Sequence, residues 1–154
     1  MLRRGRGHVV NIASAAGQVG LPFAAVYSAS KSAVIGATEA VAYEYKDTGV
    51  SFSAVCPSLV ETELVAGAGR PLWPPVATPQ DVGRAVVRCI ATQKELVFVP
   101  RAARLSAILP AILPRRLTRK IAERLNLGTM FRDIDTAERQ AYRKRSRGDE
   151  SASN

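Results

Sequence analysis

Short apolar runs along this chain alternate with longer stretches in which Ala and Val recur every three or four positions. His8-Val9-Val10-Asn11-Ile12 is the first short run; bounded by Gly7 and by Ala13-Ser14, it predicts a buried strand. Gly17, Gly20 and Pro22 then mark a loop. From about Tyr27 to Tyr45 the period lengthens. Ala33, Ala37, Ala40 and Val41 recur at helical spacing, and Glu39, Glu44 and Lys46 supply polar positions, which predicts a long helix with Gly49 as its stop signal. Ser51-Phe52-Ser53-Ala54-Val55-Cys56 predicts a second strand, halted by Pro57. Residues 58–78 hold Gly67, Gly69, Pro71, Pro74 and Pro75 and read as a loop or lid. Thr78-Pro79-Gln80-Asp81 is a helix start, with Thr at the N-cap, Pro at the first helical position and an acid two positions further. Val82, Ala85, Val86, Cys89 and Ile90 form the apolar face of that helix. Glu95-Leu96-Val97-Phe98-Val99 predicts a third strand, stopped by Pro100.

The order is strand, helix, strand, helix, strand. Short apolar strands alternating with helices predict a parallel sheet of βαβ units, with the helices covering its faces. Three strands are few for such a sheet. The first begins only a few residues after Met1, so the expected architecture is the last part of a larger α/β domain.

Composition refines this picture. The chain has 154 residues, 47% hydrophobic and 23% charged, the ordinary globular range. Cys56 and Cys89 are its two cysteines and have no CxxC spacing, which excludes a disulfide scaffold or a thiolate zinc cluster. No run of about 18 apolar residues predicts a membrane-spanning helix. Arg3, Arg4 and Arg6 lead into an apolar stretch broken by Asn11 and Ser14, unlike a signal peptide. The expected compartment is the reducing cytoplasm.

The net charge of +9 is uneven: residues 1–100 carry +2 and residues 101–154 carry +7. The chain therefore divides into a nearly neutral part, 1–100, a basic helical extension, 101–147, and a disordered tail, 148–154, with residues 135–147 reading as a short polar helix. Leu105 to Pro114 is apolar; Arg115, Arg116, Arg119, Lys120 and Arg124 follow, with Leu117, Ile121 and Leu125 at spacing four. Residues 101–124 carry +6. An apolar stripe beside a basic face has two readings. Either the stripe packs on the body with Arg solvated, or the segment is an interfacial helix at anionic lipid, giving a peripheral membrane protein. Nucleic acid is the weakest partner, because aromatics for base stacking are nearly absent there.

Tyr27-Ser28-Ala29-Ser30-Lys31 carries the candidate chemistry. Residues four apart share a helix face. A phenol is a poor proton carrier at neutral pH, and an ammonium within about 4–6 Å favours its anion, so a Tyr/Lys pair at this spacing makes a sensible acid–base group. Ser14 lies just past a strand end, where ligands sit in open α/β sheets, and its hydroxyl is a candidate donor to a developing oxyanion. His8 is the only histidine and reads as a strand-edge residue, which argues against Ser-His-Asp chemistry and against a metal site. Cys89 reads as a buried core thiol, and Cys56 has no partner to activate it. Trp73, between Leu72 and Pro74-Pro75, either lines an apolar pocket or packs within its own turn.

Asn11-Ile12-Ala13-Ser14, Gly17, Tyr27-Ser28-Ala29-Ser30-Lys31-Ser32-Ala33-Val34 and Pro57-Ser58-Leu59-Val60-Glu61-Thr62 together resemble the second half of a short-chain dehydrogenase/reductase. The resemblance covers about residues 5–100. It implies a partial Rossmann-type, doubly wound parallel sheet and NAD(P)-dependent hydride transfer between an alcohol and a carbonyl, on a lipid-like substrate if the basic tail meets lipid. Tyr27 would be the acid/base, Lys31 would favour its anion and bond the nicotinamide ribose, and Ser14 would orient the substrate oxygen. Pro57, Ser58, Val60 and Thr62 would lie along the cofactor, and residues 61–75 would form the substrate lid. A homo-oligomer through the Tyr/Lys helix is also implied. The family's glycine-rich cofactor turn and catalytic Asn are not in this sequence, Asn11 does not take that Asn's role, and Ser58 stands where a Gly is usual. The expectation is a fragment, inactive alone, whose first half lies in an upstream reading frame or a partner chain. NAD and NADP both stay open. The alternative is a non-catalytic fragment that binds a membrane or a partner through its basic tail.

Overall fold

The computed structural model describes residues 1–62, 71–125, 127 and 132. After a 3-10 turn at Leu2–Arg4, strand β1 (Gly7–Ile12) leads through a second such turn (Ala15–Gly17) to helix α1 (Ala25–Glu44). Strand β2 (Val50–Pro57), helix α2 (Pro79–Thr92) and strand β3 (Leu96–Val99) follow. A 3-10 turn (Arg101–Ala103) then leads into α3 (Arg104–Ile112) and α4 (Arg115–Arg124).

The three strands form one parallel sheet in the order β1-β2-β3, as the βαβ alternation predicts. Gly7 pairs with Val50 and Ile12 with Val55; Ala54 pairs with Leu96 and Pro57 with Val99. Successive strand side chains point to opposite faces. Ala54, Cys56 and Phe98 therefore pack with Ala13, Ala15 and Ile35 on the α1 face. Val55 and Val99 pack with Ala77 and Cys89 on the α2 face. Both faces of the central strand are covered, and β2 is buried without a break from Ser53 to Pro57.

Helix α2 starts as its sequence dictates. The Thr78 hydroxyl accepts from the Asp81 N–H at 3.2 Å, and an Asp81 carboxylate oxygen accepts from the Thr78 N–H at 2.9 Å, a closed capping box with Pro79 in the first turn. Gln93 ends the helix in the left-handed region, at φ 53°.

In α1 the recurrent Ala33, Ala37 and Ala40 are exposed and the buried residues are Ser28, Ile35 and Thr38, because Ile35, and not the alanines, has the reach to fill the groove over the sheet. Two expectations need correction. Gly49 is not the helix stop. The cap is Tyr45, and Gly49 is needed at φ 73° in the turn before β2, where a Cβ would collide with the Gly5 carbonyl. Ile90 is 54% exposed, although Val82, Ala85, Val86 and Cys89 of the same expected face pack inward. Strand β2 ends at Pro57, its last residue. The compositional boundary at residue 100 does not interrupt packing: Ala103 is fully buried in the α1-side core, and Ala107 of α3 packs against it. The polar helix expected at 135–147, the tail at 148–154 and residues 63–70 of the lid lie outside the described residues.

Candidate active site

The C-terminal ends of β1 and β2 lie side by side, and the expected site residues gather around them. Ser14, two residues past β1, is buried. Its hydroxyl accepts from the Ala16 N–H at 3.1 Å, capping the Ala15–Gly17 turn, and faces the Pro57 carbonyl at 3.5 Å as donor. That long contact is weak. The proton of Ser14 is held between the two strand ends and stays free to turn to a better acceptor.

Tyr27 stands in the first turn of α1, 44% exposed. Lys31, one turn on, donates from Nζ to the Ile12 carbonyl at 3.0 Å. The same Nζ lies 5.8 Å from the centroid of the Tyr27 ring, within cation–π range. Lys31 thus links the phenol to the end of β1, and its remaining ammonium protons are available to a ligand.

What holds α1 in this position is polar. Asn11 Nδ2 donates to Thr38 Oγ1 at 2.9 Å, and that hydroxyl donates to the Val34 carbonyl at 2.6 Å. Ser32 Oγ donates to the Gly17 carbonyl at 2.6 Å, and Ser28 Oγ accepts from the Leu21 N–H at 3.1 Å. Gly17 sits so close to α1 that a Cβ there would lie 2.7 Å from the Lys31 carbonyl carbon.

The other candidates are the last residue of β2 and the loop that leaves it. Pro57 is buried. The Ser58 N–H donates to the Val99 carbonyl at 2.7 Å, and its hydroxyl donates to the Pro75 carbonyl at 2.8 Å. Ser58 keeps out of the left-handed region, so the glycine usual in the family is not needed for backbone freedom here. Val60 forms an isolated parallel bridge with Ala77, which returns the loop onto the sheet. Thr62 is exposed, its hydroxyl 3.5 Å from the Val60 carbonyl. Trp73 is half-buried, next to an exposed Leu72 whose N–H donates to Leu125 at 3.2 Å, so this turn leans on the end of α4.

Burial pushes the Cys56 thiol up to about 12, against smaller opposing effects of the Ser14 backbone and the Lys31 charge. Burial also raises Cys89. Neither is a nucleophile at neutral pH. His8 bonds Ser53 Oγ at 2.7 Å across β1 and β2, an anchoring role away from the strand ends.

Two residues escaped the sequence reading. Thr38 is buried at 1% and fixes α1 through Asn11; a polar residue inside an apolar helix period was its signal. Phe23, four residues before Tyr27, is held at φ 62° and is 67% exposed, a conformation costly for a bulky side chain. Nothing in the loop's composition marks it.

The family model "short chain dehydrogenase" matches residues 1–72. The 17-beta-hydroxysteroid dehydrogenase 13 of Mus musculus is 37% identical over 112 residues, covering 71% of this chain and 36% of that protein. The ketoacyl reductase HetN of a Nostoc species is 41% identical over 102 residues, covering 64% of this chain and 36% of that protein. A crystal structure of a short chain dehydrogenase from Burkholderia cenocepacia in complex with NADP superposes with a TM-score of 0.63 at 26% identity, over 80% of this chain and 50% of that one. The chain therefore spans little more than a third of the length of these two curated relatives.

Proposed function

Because the chain belongs to the short-chain dehydrogenase/reductase family, we propose that it supplies the proton-transfer group and the nicotinamide end of the cofactor site of an NAD(P)-dependent oxidoreductase acting on an alcohol or carbonyl. The observation that carries this reading is the seat of Lys31, bonded to the end of β1 two residues before Ser14 and 5.8 Å from the Tyr27 ring.

The residues present fit one end of a dinucleotide. Lys31 has ammonium protons left for a ribose hydroxyl, and Val60 and Thr62 belong to the loop that follows the C-terminal end of β2, the end of a sheet at which ligands bind in open α/β folds. For the pyrophosphate end, these 154 residues contain no glycine-rich turn. When bound, the cofactor supplies or takes the hydride. In the reducing direction, the Tyr27 hydroxyl gives its proton to the carbonyl oxygen. Lys31 keeps its ammonium one helical turn from the oxygen left behind, and Ser14 Oγ turns from Pro57 to donate to the substrate oxygen. The names of the relatives, a hydroxysteroid dehydrogenase and a ketoacyl reductase, favour a carbonyl on an extended apolar skeleton. The exposed Ala33, Ala37 and Ala40 of α1 favour contact with a second copy through this helix.

The test is ketone reduction followed by NAD(P)H absorbance, on the longest reading frame that contains these residues. Tyr27→Phe should lower turnover by roughly 10²–10⁴-fold, the range for a lost general acid. Turnover equal to the parent would remove the proposed role.

A further inference from the structure

We propose that the outward faces of α3 and α4 form one docking surface for an anionic lipid membrane. The inference is independent of the oxidoreductase reading, because it uses none of the residues placed at the site. Helix α3 touches the body through Ala107 and buries no residue of its own. Three of its four large apolar residues are left outside: Leu105 is 49% exposed, Ile108 39% and Ile112 69%. Spacings of three and four put all three on one face. Across the Pro114 turn, α4 adds Leu117, 45% exposed.

Charge surrounds this apolar strip. Arg115, Arg116, Arg119, Lys120 and Arg124 are all exposed on α4, and Arg101 and Arg104 are exposed at the start of the extension. Glu123 is the one acid between residues 101 and 124. On α4 Arg115, Arg116 and Arg119 lie opposite Leu117, Ile121 and Leu125, with Lys120 and Arg124 beside that stripe, so this helix has an apolar side bordered by a basic one. Among the described residues none of these seven cations forms an ion pair; the bridge found is Arg84–Asp81 on α2.

An occupant must meet both halves of this pattern. A nucleic acid would neutralise the cations but leave the isoleucines in water. A bilayer with anionic headgroups answers both, because the apolar side chains sink to the headgroup–acyl boundary and the guanidinium groups stay among the phosphates. Among the described residues no helix is long and apolar enough to cross a membrane, so the contact is an interfacial one.

Vesicle flotation of the 154-residue chain tests this, since aggregates do not float. The vesicles are phosphatidylcholine alone, or phosphatidylcholine mixed with phosphatidylglycerol. The chain should float with the mixed vesicles only and be released by high salt. The triple variant Arg116→Ala/Arg119→Ala/Lys120→Ala should weaken partitioning by roughly a hundredfold, about fivefold per cation. Ile108→Ser/Ile112→Ser should weaken it by at least about tenfold. All five positions are exposed, and far-UV circular dichroism reads their folding; the salt dependence of the parent is a measure free of any variant. Absence of flotation with the mixed vesicles, or equal flotation with phosphatidylcholine alone, overturns the proposal. So does a loss confined to the charge variant, which would transfer the surface to a purely electrostatic partner such as nucleic acid.

Discussion

Replacing Gly17 by alanine adds one methyl group to the loop that seats the site helix. That methyl would lie 2.7 Å from the Lys31 carbonyl carbon, 2.8 Å from its oxygen and 2.8 Å from Ile35 Cδ1. Two of the three atoms are helix backbone and cannot swing away, and Ile35 is 4% exposed and packed into the core. Either the turn or the first half of α1 must shift, an overpacking cost of about 1–3 kcal/mol. An opposing effect exists. Gly17 lies outside the left-handed region, so alanine at such a site stabilises by about 0.4–1 kcal/mol through the unfolded chain. The steric cost wins, for a net loss of about 1–2 kcal/mol. Urea unfolding followed by circular dichroism should show the midpoint falling by roughly 0.5–1 M with little change in slope. Gly20→Ala is the control in the same loop: nothing lies within 4 Å of its added Cβ, so it should be neutral or slightly stabilising. A Gly17→Ala midpoint at or above that of Gly20→Ala would show that the contact between the loop and α1 is not as close as described.

Thr78→Ala removes the cap of α2 and should cost about 1 kcal/mol in the same unfolding assay; an unchanged midpoint would rule out the capping box. Hydrogen bonds from Thr78, with help from Arg84, hold the Asp81 carboxyl at about 2, below its ordinary 3.8. Its contribution is therefore present above pH 4 and lost as pH falls from about 4 toward 2, and a stability profile of Asp81→Asn should lack that acid limb. Cys56 and Cys89 are fully buried with raised thiols, so a disulfide reagent at pH 8 should label neither until urea unfolds the chain; prompt labelling of the native protein would contradict their burial.

The sheet was legible because its signals are local. His8–Ile12, Ser51–Cys56 and Glu95–Val99 each carry enough apolar residues to declare a strand, and turn residues bound them. Their parallel pairing follows from the helices between them. The start of α2 was legible for the same reason, since a capping box needs four consecutive residues. The buried face of α1 was not. Its alanines share the helical period without being large enough to decide which side faces the sheet, and the residues that decide, Asn11, Gly17 and Thr38, act across 27 and 14 positions of chain. The Tyr27/Lys31 pair was visible as an i, i+4 spacing, but its anchor on the Ile12 carbonyl is a tertiary contact. Phe23 gave no signal because its distinction is a backbone angle.

These contacts share a physical character that bears on the site. Helix α1 is 20 residues long but buries three, and two of those are Ser28 and Thr38. Apolar burial through Ile35 gives the helix an attraction to the sheet but little rotational preference, since the effect is non-directional. Direction comes from hydrogen bonds at both ends of the buried face: Ser28 to Leu21, Ser32 to Gly17, Lys31 to Ile12 and Thr38 to Asn11. A hydrogen bond loses strength steeply with misalignment, so four of them fix the rotation of α1 more sharply than its hydrophobic contacts do. All four partners belong to β1 or to the loop that leaves it. The strand and loop that carry Ser14 thus also set the rotation of α1 and with it the placement of Tyr27, so disturbing Asn11 or Gly17 shifts Tyr27 without touching it.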